Sequence, residues 1–144
     1  MKRLTEIALA FAATTMIAGT ASAAINPDAV HLALDSLLVA SSKMSVRNVI
    51  RKNRGKPPAD NAAANLGAPN TMTTSEISSI IVRNGVVNVY LAPVTGTDHG
   101  LVQFVPRIVQ GPKGGNTVEF ACSSPNIPDI AKIESSCSYR PAKQ

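Results

Sequence analysis

Two cysteines, Cys122 and Cys137, are the only ones in this chain of 144 residues, and fourteen residues separate them near the C-terminus. Whether they pair depends on the compartment, and the other terminus bears on that. The chain opens MKRLTEIALAFAATTMIAGTASA. Lys2 and Arg3 form a basic start, Ile7 to Thr20 is uncharged and largely apolar, and Ala21-Ser22-Ala23 has the small-x-small form that a signal peptidase cuts. Residues 1–23 therefore read as a secretory signal peptide, cut between Ala23 and Ala24. The alternative is a retained membrane anchor, because no residue from Ile7 to Pro27 is charged and a span needs about 20 residues. The abundance of Ala, Thr, Ser and Gly favours the cleaved signal. Outside the cytoplasm, two thiols in one small domain pair. A bridge closing a loop of this size stabilises by roughly 3 kcal/mol in the chain-entropy picture. A zinc site would need two more ligands, and neither His31 nor His99 stands at a ligand-like spacing. A catalytic cysteine would stay unpaired beside a histidine.

Residues 24–144 suit one domain with one modest core. Lys2, Arg3 and Glu6 belong to the leader, so the remainder keeps 12 of the 14 basic and 8 of the 9 acidic side chains, net +4. With no Trp, three Phe and two Tyr, burial must come from Val, Ile, Leu and Ala. Single-stranded nucleic acid would find few rings to stack on.

Along the chain, NPDAVHLALDSLLVASSKMSVRNVIRKNRG (26–55) predicts one long helix. Asn26 is placed to cap it, Pro27 suits the first helical position, and Asp28 suits the positive end of the dipole. Val30, Leu34, Leu37, Leu38, Ser41, Val46, Val49 and Ile50 share a face at helical spacing. Arg51, Lys52 and Arg54 crowd the last turn, and Gly55 follows it. Residues 59–74 predict a loop, either ordered over the core or flexible. EISSIIV and VVNVYLAPV flank Arg83-Asn84-Gly85, a hairpin signal, since Asn-Gly tolerates φ > 0 at both central positions. LVQFVPRIVQ is a third strand, whose Pro106 argues for an edge, a bulge or a break. Residues 111–116 form a turn before TVEFACS, the fourth strand. Short links favour an antiparallel sheet with the helix across one face, an α+β two-layer architecture. The segment 123–136, with Pro125 and Pro128, has little pattern of its own, so the Cys122–Cys137 bond would pin it to the sheet edge.

The helix, the loop PADNAAANLGAP, the hairpin SSIIVRNGVVNVYL and the ending TVEFACSSPNIPDIAKIESSCSYRP together resemble the globular head of type IV pilins, over about Ala33 to Arg140. The resemblance implies a long helix on a four-stranded antiparallel sheet. It also implies a C-terminal disulfide, mapping onto Cys122 and Cys137, that staples an exposed loop, and a helix-to-sheet loop at Pro58 to Met72. It implies a fimbrial subunit or a soluble relative acting in cell adhesion. Partners would be other subunits or cell surfaces, and the location periplasmic, extracellular or pilus-associated. Family members start with a leader ending in Gly, then a Phe or Met and a glutamate five residues into the mature chain, before the apolar run. This chain has no Gly there, and Glu6 precedes its run. Cleavage after Ala23 would leave a soluble head, whereas an uncut chain would remain tethered.

Catalysis has little support, and no enzymatic activity, cofactor, metal or small-molecule substrate is expected. Asp98 and His99 are adjacent in a turn without a nucleophile in context. Lys113-Gly114-Gly115 lacks the spacing of a phosphate loop. Lys43, Arg47, Arg51 and Arg54 recur on one helix face and could neutralise DNA phosphates without reading bases, or could simply be a solvated face. Ser123 to Ser136 is the candidate recognition loop. Within it, Ile127, Ile130 and Ile133 are candidate partner contacts if exposed, and the loop's own core if not.

Overall fold

Asn26 caps the first helix: its carboxamide oxygen accepts from the Ala29 N–H at 3.2 Å, and helix α1 runs Pro27–Leu34 with proline in its first turn. The computed structural model describes residues 24–97, 99–110 and 115–142, so the expected signal segment lies outside the described residues. Among those described, no helix is long and apolar enough to cross a membrane. The single long helix expected over 26–55 is in fact two helices. The Ser36 hydroxyl accepts from the Val39 N–H at 3.3 Å and starts a second helix, α2 (Leu37–Lys52). Asp and Ser side chains offer the backbone such local alternatives to helical bonds. The break shifts the helical phase. Leu37, expected inside, is 87% exposed, Ser41 is exposed, and Val39 and Ser42 are buried in their place.

α2 ends with the Gly55 N–H donating to the Ile50 carbonyl at 2.8 Å, after Arg54 and Gly55 turn left-handed at φ 54° and 92°. This is a Schellman-type ending in which arginine holds the first left-handed position. The following loop is ordered over the core. Asn84 and Gly85 donate backbone bonds to the Ala59 and Pro58 carbonyls, and Ala64 and Met72 are buried.

The sheet consists of β1 (Ile77–Arg83), β2 (Val86–Leu91), β3 (Leu101–Gln110), β4 (Asn116–Ser124) and β5 (Cys137–Tyr139), in that spatial order. Arg83 pairs with Val86 across the Asn84-Gly85 turn, both turn residues having positive φ, 47° and 80°, as a type I′ hairpin requires. The first four strands are antiparallel. β5 is an addition to the four-stranded expectation. It runs parallel to β4 and sets Cys137 against Cys122, after a short helix α3 (Ile130–Ile133).

Pro106 stands in an unbroken β3. The Leu91 N–H donates to the Gly100 carbonyl at 2.8 Å, so even-numbered residues of β3 aim their polar groups toward β2. The β2–β3 ladder ends at Val87 and Phe104, so the missing N–H of Pro106 removes no sheet bond. One face of the sheet, with Ile80, Val82, Val87, Val89, Val102, Phe104 and Val118, meets Val30, Leu34, Val46 and Ile50 of the helices in a single core cluster. Each such aliphatic side chain contributes about 1.5–3 kcal/mol when fully buried.

Candidate functional site

The C-terminal clasp is built from Ser124 outward. Its hydroxyl donates to the Leu101 carbonyl at 2.7 Å and accepts from the Ile127 N–H at 3.0 Å. Asn126 faces the same strand end, accepting from the Leu101 N–H at 3.0 Å and donating to the His99 carbonyl at 2.9 Å. The Cys122–Cys137 disulfide, with Cα atoms 4.4 Å apart, closes the segment, and the Arg140 N–H donates to the Ser124 carbonyl. Ile127 and Ile130 are fully buried in the main core and Ile133 packs against it. These isoleucines are thus neither an exposed partner patch nor a core of the loop's own: they join the main core of the domain. The exposed side of the clasp is mostly polar, with Asn126, Asp129, Lys132, Ser135 and Ser136, and Pro128, Ala131 and Tyr139 stand exposed among them.

Two charges on that side are tuned locally. Lys132 Nζ lies 2.8 Å from Asp129 Oδ1, and that hydrogen bond and charge hold the ammonium above its ordinary pKa. Glu134 accepts from the Ser136 hydroxyl at 2.7 Å and from its N–H at 3.1 Å. These bonds, then the nearby His31 and Lys43, hold its carboxyl below the usual range. His31 Nδ1 is 3.8 Å from Glu134 Oε2.

The basic face of α2 divides into two halves. Lys43 Nζ sits 4.6 Å from the centre of the Phe104 ring. The Arg47 guanidinium lies 5.8 Å over Phe120, and its Nε donates to the Val118 carbonyl at 3.0 Å. Even-numbered residues of β4 aim their backbone groups away from β3, and β5 covers only residues 122–124 of β4, so Arg47 fills an edge position that no strand among the described residues reaches. These two cations are tied to the sheet, each contact worth about 0.5–1 kcal/mol when exposed. Arg51 and Arg54 are exposed and, among the described residues, have no carboxylate within 4.0 Å. The tie of Arg47 to a strand edge was not readable from sequence, because its carbonyl partner is 71 residues away.

His99 occupies an exposed turn at φ 57°, while Asp98, Lys113 and Gly114 lie outside the described residues. Among the described residues no three His, Cys, Asp or Glu side chains cluster to hold a metal ion. No protein-family model matches this chain, and no curated protein matches its sequence.

Proposed function

We propose that this protein is a pilin-like structural and interaction module, a subunit or soluble relative of type IV pili, that acts in cell adhesion through its exposed loops. The observation that carries this reading is the helix-on-sheet body whose C-terminal segment is clasped by Cys122–Cys137. The clasp holds a short polar surface rigidly, and pre-organisation of that kind lowers the ordering cost of binding. The disulfide also fits export to an oxidising compartment. The mechanism is surface complementarity without covalent chemistry.

The test has two parts. The mass of the exported protein reports processing: a start at Ala24 gives a soluble head, an intact N-terminus a tethered one. Labelling of sheared surface filaments, and competition of cell adhesion by purified protein, report function. Absence from filaments together with no effect on adhesion would sink the reading, as would an effect that Asp129→Arg with Lys132→Glu leaves unchanged.

A second reading, DNA binding by the basic helix face, is favoured by Arg51 and Arg54, which are exposed and, among the described residues, lack acidic partners. Binding of duplex DNA should fall steeply with salt and vanish in Arg51→Glu with Arg54→Glu. No binding at low salt removes it.

A further inference from the structure

Beyond Phe104 and Cys122 the sheet narrows. β2 pairs with β3 only through Leu101–Phe104, and β5 pairs with β4 only through Cys122–Ser124. Residues 105–110 and 116–121 therefore leave the five-stranded sheet as a two-stranded ribbon, an arrangement of marginal stability unless something packs on it. The last turns of α2 lie beside it, and between them runs a groove of three adjoining clefts. The first, about 190 Å³, is walled by Ile50, Pro57, Val86, Val105, Pro106 and Ile108. The second, about 260 Å³, shares Ile50 and Ile108 with the first and adds Arg51 and Arg54. The third, about 370 Å³, continues past Arg51 to Arg47, with Glu119 as its one acidic wall residue.

The groove thus changes along its length from apolar to cationic. Ile108, 52% exposed, stands where the first two clefts meet. Its position in β3 aims its N–H and C=O away from β4, toward an edge that β2 has already left. An unpaired strand edge of this kind is a template for an added extended chain.

We propose that this groove docks an extended acidic peptide segment of a partner protein. One apolar side chain enters the cleft beside Ile108, backbone bonds form at the free edge of β3, and carboxylates lie along Arg54 and Arg51. Charge complementarity selects this occupant: two exposed guanidiniums with no acidic partner among the described residues adjoin an apolar cleft and a strand edge that no described strand pairs. A rigid duplex would use the arginines alone, having no aliphatic side chain to place beside Ile108.

The test uses the exported, disulfide-intact protein and fluorescein-labelled octapeptides of alternating leucine and aspartate, read by anisotropy at low salt. The expected result is binding that weakens about tenfold when serine replaces the leucines or when Ile108→Ser is introduced. Arg51→Glu with Arg54→Glu should abolish it. The serine peptide leaves the protein unaltered, so a folding defect cannot mimic its effect. No binding by any leucine–aspartate peptide overturns the proposal. So does equal affinity for the serine peptide, which would reduce the contact to charge attraction. A short DNA duplex that displaces the peptide and ignores Ile108→Ser would assign the arginines to nucleic acid instead.

Discussion

Asn61 does the work of a missing strand. Its amide nitrogen donates to the Ile80 carbonyl at 2.9 Å and the Gly67 carbonyl at 3.0 Å, and its oxygen accepts from the Val82 N–H at 2.6 Å. It is 6% exposed, so water cannot replace these bonds, and at Ile80–Val82 the outer edge of β1 is already occupied. Asn61→Ala leaves buried polar groups unpaired at about 1–3 kcal/mol each. Chemical denaturation should show a loss of about 3 kcal/mol in total, with faster hydrogen exchange at the Val82 amide. Arg54 presents the opposite case. It holds a left-handed φ of 54°, which costs an L-residue roughly 1–2 kcal/mol. Arg54→Gly should therefore stabilise the protein by about 0.5–1 kcal/mol, seen as a higher urea midpoint. If the midpoint falls instead, the Arg54 side chain contributes contacts that outweigh its backbone strain.

At the scale of elements, short-range chemistry was legible and long-range pairing was not. The cap at Asn26, the Asn84-Gly85 turn and the β-branched runs each carry their signal within a few residues, and their elements stand where the sequence predicts. The break at Asp35–Ser36 was hidden because the apolar spacing continues through it. A side-chain cap at Ser36 starts a second helix directly after the first, and the resulting change of phase exposes Leu37. β5 was hidden because three residues have no periodicity, and its parallel register depends on a partner 15 residues earlier. For the candidate sites, the charged face was readable as a face, but its division into tethered Lys43 and Arg47 and, among the described residues, unpaired Arg51 and Arg54 came from a ring and a strand edge placed by tertiary packing. The Ser136 hydroxyl and N–H hold the Glu134 carboxyl below its ordinary pKa, so the folded state binds that proton less readily than the unfolded chain. The resulting stabilisation is complete above the ordinary carboxylate value of about 4.3 and is lost as pH falls through the lower folded value. Glu134→Gln should shrink the difference between urea midpoints at neutral pH and in acid. An unchanged difference would mean that other carboxylates control acid unfolding.

At the scale of the whole molecule, the question is whether the clasp is an appendage or part of the body. Ile127 and Ile130 belong to the same buried cluster as Val30 from α1 and Val102 from β3, and α3 packs against both β5 and α1. Opening the clasp would therefore uncover core surface shared with the first helix and the central strands, beyond freeing a surface loop. Removing the disulfide also releases a loop whose ends are 15 residues apart, an entropic change of about 3 kcal/mol. The two effects act on one cooperative unit, so Cys122→Ser with Cys137→Ser should lower stability by at least about 3 kcal/mol. The loss should appear as a single unfolding transition at a lower urea midpoint, and amide protection at Val102 should fall together with that at Ile127. Were only residues 123–139 to lose protection while the midpoint held, the clasp would be a separable flap. The rigidity that the adhesion reading asks of it would then have no source in the core.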